Sequence, residues 1–180
     1  MNILLHTCCA VCLLYPLEKL TKSGFNVTGL FYNPNIHPFS EYRLRKEATE
    51  ELSKSLGIKI FFPEYHPEEY FRQVNYKEDS IERCYLCWSL RLNKTARLAK
   101  QNNFDYFSTT LLVSPYQDQE AIKKIGLDTA SREGIKFYFE DFRPGFRLAH
   151  EQARAKGIYC QKYCGCLYSE VARCRKSRKP

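Results

Sequence analysis

Short apolar segments alternate with long helical ones along nearly the whole chain, and this rhythm limits the fold more than any other feature. Asn2–His6 reads as a buried strand, followed by a helix from about Ala10 to Lys22 that stops at Gly24. Val27–Tyr32 is a second strand, closed by a turn at Asn33-Pro34-Asn35. A helix capped by Ser40 runs to Leu56 with Gly57 as its stop, and Ile58–Phe62 is a third strand. A short helix over Glu68–Tyr76 precedes Asp79 and Glu82, spaced like a capping box ahead of a helix over Arg83–Lys100. Tyr106–Thr110, Gln117–Glu133, Lys136–Phe139 and Gly145–Lys156 continue as strand, helix, strand and helix. Alternation of this kind implies a parallel sheet of about five strands covered by helices on both faces, in one domain spanning residues 1–180. Ligands of such sheets bind beyond the carboxyl ends of the strands, where the strand order reverses.

The segments just past those ends carry most of the chemistry. They are His6-Thr7-Cys8-Cys9-Ala10-Val11-Cys12, Tyr32-Asn33-Pro34-Asn35, Thr109-Thr110 through Ser114-Pro115-Tyr116, and Asp141-Phe142-Arg143. All four are expected on one rim. No apolar run reaches the roughly 18 residues that span a bilayer, and Met1–His6 lacks a basic leader, so a cytoplasmic protein is expected. A reducing compartment does not favour structural disulfides, and nine cysteines cannot all pair. Clustered at short spacings, they point to metal ligands or redox thiols.

Cys8 and Cys9 are adjacent, with Cys12 three residues on. Neighbouring side chains leave a strand in opposite directions, so both thiols reach one centre only where the backbone turns. A strand-to-helix turn supplies that bend, and a helix N-terminus stabilises thiolates. A cubane cluster suits such a pair better than a single zinc ion, because its irons are separate atoms. Cys84 and Cys87 share one face of the first turn of a helix. With Cys8 and Cys9 they complete a four-thiolate set, which zinc or an iron–sulfur cluster would accept. Small apolar fillers at a packed turn would have the same spacing at Cys8 and Cys9. Cys160, Cys164 and Cys166 follow in Tyr159–Cys166, where Gly165 relieves enough strain for a labile Cys164–Cys166 disulfide. A flexible loop with incidental thiols reads the same way. Cys160 and Cys174 receive no role.

The net charge of +8 favours a polyanionic partner. Arg173, Arg175, Lys176, Arg178 and Lys179 form a basic C-terminal tail over about residues 173–180. Such contacts give nucleic-acid affinity without sequence preference, and a solvated tail has the same composition. Tyr32, Tyr116 and Tyr163 could stack on a nucleobase, although each is one of 13 tyrosines. His6 reads as a satisfied strand-end histidine more readily than as a ligand, and Asp141 as a rim carboxylate or the ion-pair partner of Arg143.

Taken in order, His6-x-Cys8-Cys9-Ala10-x-Cys12, Tyr32-Asn33-Pro34-Asn35-Ile36, Arg83-Cys84-x-x-Cys87, Thr110-Leu111-Leu112-x-Ser114-Pro115-Tyr116 and Tyr163-Cys164-Gly165-Cys166 resemble the epoxyqueuosine reductases of the QueH type across essentially the whole chain. Val11, where many relatives are expected to have proline, and Cys160 depart from the pattern. The resemblance implies a Rossmann-like, HUP-type α/β fold with a Cys-rich C-terminal segment. It also implies reductive, cobalamin-independent removal of the epoxide oxygen of epoxyqueuosine at the wobble position of tRNA. A 4Fe–4S cluster on Cys8, Cys9, Cys84 and Cys87 is implied, with Cys164 and Cys166 as a redox-active pair. An adjacent mononuclear iron is implied too, for which Cys12 and Asp141 are the candidate ligands. Tyr163 or His6 could donate a proton. The partners would be the tRNA anticodon loop and an electron donor that the sequence does not identify. A PP-loop tRNA-modifying ATPase shares the sheet plan but needs a glycine-rich phosphate loop where this chain has Thr7-Cys8-Cys9-Ala10. A zinc-stabilised RNA-binding module is the remaining alternative.

Overall fold

A computed structural model describes residues 1–177, with side chains through Arg175. The strands are β1 (Asn2–His6), β2 (Asn26–Leu30), β3 (Ile60–Phe61), β4 (Tyr106–Thr109) and β5 (Lys136–Phe137). They form one sheet in the order β3-β2-β1-β4-β5, and every pairing is parallel. β1 is the middle strand, and its Ile3, Leu4 and Leu5 are completely buried. A strand covered on both faces needs such a continuous apolar run. From β1 the chain moves outward through β2 to β3, then returns to the other side of β1 for β4 and β5. The order therefore reverses between β1 and β4, and the carboxyl ends of those two strands mark the crevice.

The helices are α1 (Ala10–Lys22), α2 (Phe39–Leu56), α3 (Pro67–Val74), α4 (Glu82–Gln101), α5 (Gln119–Glu133), α6 (Phe146–Ala155) and α7 (Leu167–Ser177). α1 packs with α2 and α6, while α4 packs with α3 and α5 and lies against β1 and β4. This is the Rossmann-like α/β arrangement expected from the sequence. No helix among the described residues is long and apolar enough to cross a membrane.

Several local expectations meet a different outcome. Ser40 does not cap α2: Pro38 occupies that position and Ser40 lies inside the first turn. The Asp79/Glu82 box does not form either. Ile81 holds the cap position of α4, and the Glu82 amide is taken by Ser80 Oγ at 3.1 Å. Asp118 does cap α5, accepting from the Ala121 amide at 3.0 Å. β3 and β5 are only two residues long because each sits at a sheet edge with one neighbour. The tail expected from Arg173 onward begins inside α7, which carries Arg173 and Arg175. Arg178 and Lys179 lie outside the described residues.

One close approach fixes how α6 meets α1. A β-carbon on Gly145, at the start of α6, would stand 1.9 Å from the ring of Tyr15. Gly145→Ala should therefore destabilise the fold by about 1–3 kcal/mol through overpacking. Urea unfolding should show a lower midpoint with an unchanged slope.

Candidate metal centre

The turn after β1 brings three thiols together. Cys8, Cys9 and Cys12 are buried, and their sulfurs all lie within 4.8 Å of one another. Cys9 is the N-cap of α1, and its sulfur accepts from the Cys12 amide at 3.3 Å. The Cys8 and Cys9 sulfurs are 3.9 Å apart, so the turn aims two adjacent side chains at one point. Across the crevice, Thr110 Oγ1 accepts from the Cys8 amide at 3.0 Å and donates to the Cys8 sulfur at 3.2 Å. Hydrogen bonds from the Cys12 and Cys9 thiols, with Thr110 adding to them, hold Cys8 well below the ordinary thiol range. Burial drives Cys9 upward, and its hydrogen bond to the Cys8 thiolate does the same to Cys12. One thiolate cradled by two thiols can take a metal ion with little rearrangement.

A second set of thiols faces this triad. Cys87 is buried and packs in the same small cluster as Cys166, Tyr70 and Val74. Burial pushes Cys87 up to about 12, against the opposing charge of Arg91. Cys164 lies within electrostatic reach of Cys8, Cys166, Arg91 and Arg45. Gln117 Nε2 donates to its sulfur at 3.7 Å and is itself oriented by Trp88 Nε1, which donates to Gln117 Oε1 at 2.8 Å. Cys84 and Cys87 stand outside the 4.8 Å group, which among the described residues contains only the triad.

The C-terminal loop is strapped to the rim by Arg45 of α2. Its Nη1 and Nη2 donate to the carbonyls of Cys164 and Tyr163, each at 3.0 Å. Nε donates to Glu41 Oε1 at 2.7 Å, and Tyr159 Oη donates to Glu41 Oε2 at 2.5 Å. The loop turns at Gly165, whose φ of +140° favours glycine and where a β-carbon would stand 3.1 Å from Asn35 Nδ2 and 3.2 Å from Ile36 Cγ1. The Gly165 carbonyl accepts from the His37 amide at 2.8 Å. The segments after β1, β2 and β4 thus meet the C-terminal loop, as the strand-end argument requires.

Other candidate residues have more specific places. His6 is fully buried, with Nδ1 2.9 Å from Thr109 Oγ1 and Nε2 3.2 Å from the Tyr32 carbonyl. Burial, with the charge of Arg91, lowers it to about 4, so it is a neutral, satisfied histidine. Tyr32 Oη donates to Glu69. Tyr163 Oη donates to the His37 carbonyl at 2.5 Å, and its ring lies 5.4 Å from the Arg45 guanidinium. Asp141 is exposed and forms a forked ion pair with Arg143, at 2.8 Å to Nε. It is not gathered with the thiols. Cys160 donates to the Ile158 carbonyl at 3.4 Å, which leaves it a local role.

Sequence reasoning passed over Arg45, Arg91, Gln117 and Gln161, and named Thr110 only as part of the rim segment after β4. Gln161 Nε2 lies 2.9 Å from the Cys9 sulfur and 3.6 Å from that of Cys12. A signal for Arg91 was present: it falls in the buried stripe of α4 with Cys87, Trp88, Leu92 and Thr95. A charged residue in an apolar stripe marks a polar site. Arg45→Met would leave Glu41 buried without its cation, a loss of about 3–5 kcal/mol. Amide hydrogen exchange should then accelerate over residues 159–166, whereas unchanged exchange there would show that the strap does not hold the loop.

Relatives with known names match this chain over nearly its whole length. A family model described as "Epoxyqueuosine reductase QueH" matches residues 3–172. A protein of that name from Dehalococcoides mccartyi is 37% identical, covering 99% of this chain and 98% of its own. Another from Thermotoga maritima is 36% identical, covering 97% and 93%. A third from Streptococcus pyogenes is 38% identical over 93% of this chain and 70% of its own. Among solved structures, a predicted subunit of tRNA methyltransferase from Methanocaldococcus jannaschii shares the fold. It has a TM-score of 0.56 and 14% identity, covering 86% of this chain and 74% of the other. The chain belongs to the epoxyqueuosine reductase QueH family.

Proposed function

We propose that this chain, as a single catalytic domain in the cytoplasm, removes the epoxide oxygen of epoxyqueuosine at the wobble position of tRNA and leaves the alkene of queuosine. The family match over residues 3–172 carries this reading. The enzyme is an oxidoreductase. Its overall reaction consumes two electrons and two protons and releases the oxygen as water.

The donor set suits an iron–sulfur group. Three buried thiols converge beside β1, and Cys87 of α4 and Cys164 of the C-terminal loop lie, with Cys8, within electrostatic reach of Arg91. The buried Arg91 also has an unpartnered Nη2, which a negatively charged centre would satisfy. Cys8, Cys9, Cys84 and Cys87 would hold a 4Fe–4S cluster, and Cys12 would serve an adjacent iron. Asp141 could join that iron only by leaving Arg143. When bound, the cluster supplies electrons one at a time and the adjacent iron a Lewis acid.

The chain's own residues handle the remaining balance. Oxidation of Cys164 and Cys166 to a disulfide releases two electrons and two protons, which matches what the epoxide consumes. Thr110, Gln117 and Gln161 orient the sulfurs through hydrogen bonds. His6, held neutral by burial, supports the crevice as a structural hydrogen-bonding group rather than as a proton donor. Tyr163 could donate a proton only after releasing the His37 carbonyl. The disulfide would be restored by an external electron donor, and the anticodon loop of tRNA is the macromolecular partner.

The test is anaerobic incubation with tRNA carrying epoxyqueuosine, followed by mass spectrometry of the released nucleosides. The expected product is queuosine, lighter by one oxygen. Cys8→Ala and Cys84→Ala should each lose both the visible iron–sulfur absorption and the conversion. A variant that keeps both would overturn the assignment of its cysteine.

A further inference from the structure

Two arginines are buried beside the thiols, and they are compensated very differently. Arg45, 2% exposed, has a carboxylate partner in Glu41 and two carbonyl acceptors. Arg91, 1% exposed, forms no ion pair with a carboxylate among the described residues. Its Nε donates to the Cys87 carbonyl at 3.1 Å, one helical turn back on α4. Its Nη2 is buried without a hydrogen-bond partner. A guanidinium stays charged in any protein environment, and burying it without a counter-charge is costly. The titratable groups coupled most strongly to it are thiols: Cys87, Cys164 and Cys8. These come from three separate segments, so Arg91 stands where the two sets of thiols face each other.

We propose that Arg91 is the fixed counter-cation of the thiolate-bound redox centre and sets its reduction potential. The inference rests on the iron–sulfur reading above. A thiolate-ligated iron–sulfur centre carries net negative charge that grows by one on reduction. A buried cation beside it therefore favours the reduced form and raises the potential. The hydrogen bond to the Cys87 carbonyl keeps the guanidinium facing the thiols, and the low-dielectric surroundings keep its charge unscreened. Arg91 acts through the centre and need not touch the substrate, so it is a positioning residue for electron delivery.

The test is anaerobic spectroelectrochemical titration of the cluster-loaded wild-type, Arg91→Met and Arg91→Lys proteins. In Arg91→Met the reduced-to-oxidised ratio at a fixed potential should fall about tenfold, a shift of about 59 mV to more negative potential for one electron. Arg91→Lys keeps the charge and should stay close to wild type. Loss of the cluster in Arg91→Met but not in Arg91→Lys would support the same role. An unshifted Arg91→Met protein overturns the proposal, and so does an equal shift, or loss of the cluster, in both variants. A wild-type protein without iron–sulfur absorption would instead overturn the reading on which the proposal rests.

Discussion

Arg45 joins parts of the chain that lie more than a hundred residues apart. Its guanidinium is satisfied on one side by Glu41 from the same helix, and on the other by the carbonyls of Tyr163 and Cys164. Glu41 in turn receives the hydroxyl of Tyr159, so one buried ion pair grips both ends of the Cys-rich loop. A salt bridge of this kind contributes little as a mere pair of charges, because desolvation offsets most of the attraction. Its value is geometric. It fixes where Cys164 stands relative to the thiols after β1, and Gly165 makes its positive-φ turn beside that framework.

The sheet supplies the other half of the site. Reversal of strand order between β1 and β4 opens a crevice, and Cys8 and Thr110 meet across it. The same two residues exchange a second hydrogen bond, which helps keep Cys8 as a thiolate. Redox chemistry needs electron-rich sulfur in a dry, positively biased setting. The crevice draws its sulfur from the turn after β1, the start of α4 and the loop, while Arg45 and Arg91 provide the bias. Epoxide removal is a two-electron reaction, and under the proposed assignment cluster thiols and a dithiol would meet that demand from a single site.

Much of this was legible in the sequence. The run Ile3-Leu4-Leu5 announced a buried central strand, and α1 has the expected bounds, Ala10–Lys22. The strand-end rule located Cys8, Cys9 and Cys12, whose sulfurs lie within 4.8 Å of one another, whereas Cys84 and Cys87 stand outside that group. What remained hidden depends on long-range contacts. Ser40 and Asp79 have capping chemistry, yet the chain enters α2 through Pro38 and α4 through Ile81, so neither side chain is used as a cap. At Asp141 the sequence left two readings open, and the structure shows the ion pair with Arg143. Arg45 resembles an ordinary helical surface residue until the loop around it is in place, and the apolar stripe that holds Arg91 does not name the thiols it faces.

The central claim is that these thiols hold iron and sulfide rather than zinc. Iron, zinc and acid-labile sulfide should be counted per chain in anaerobically purified protein. A brown protein with at least about four iron and four sulfide per chain is expected for a four-iron cluster. A colourless protein with zinc and no sulfide would contradict the account.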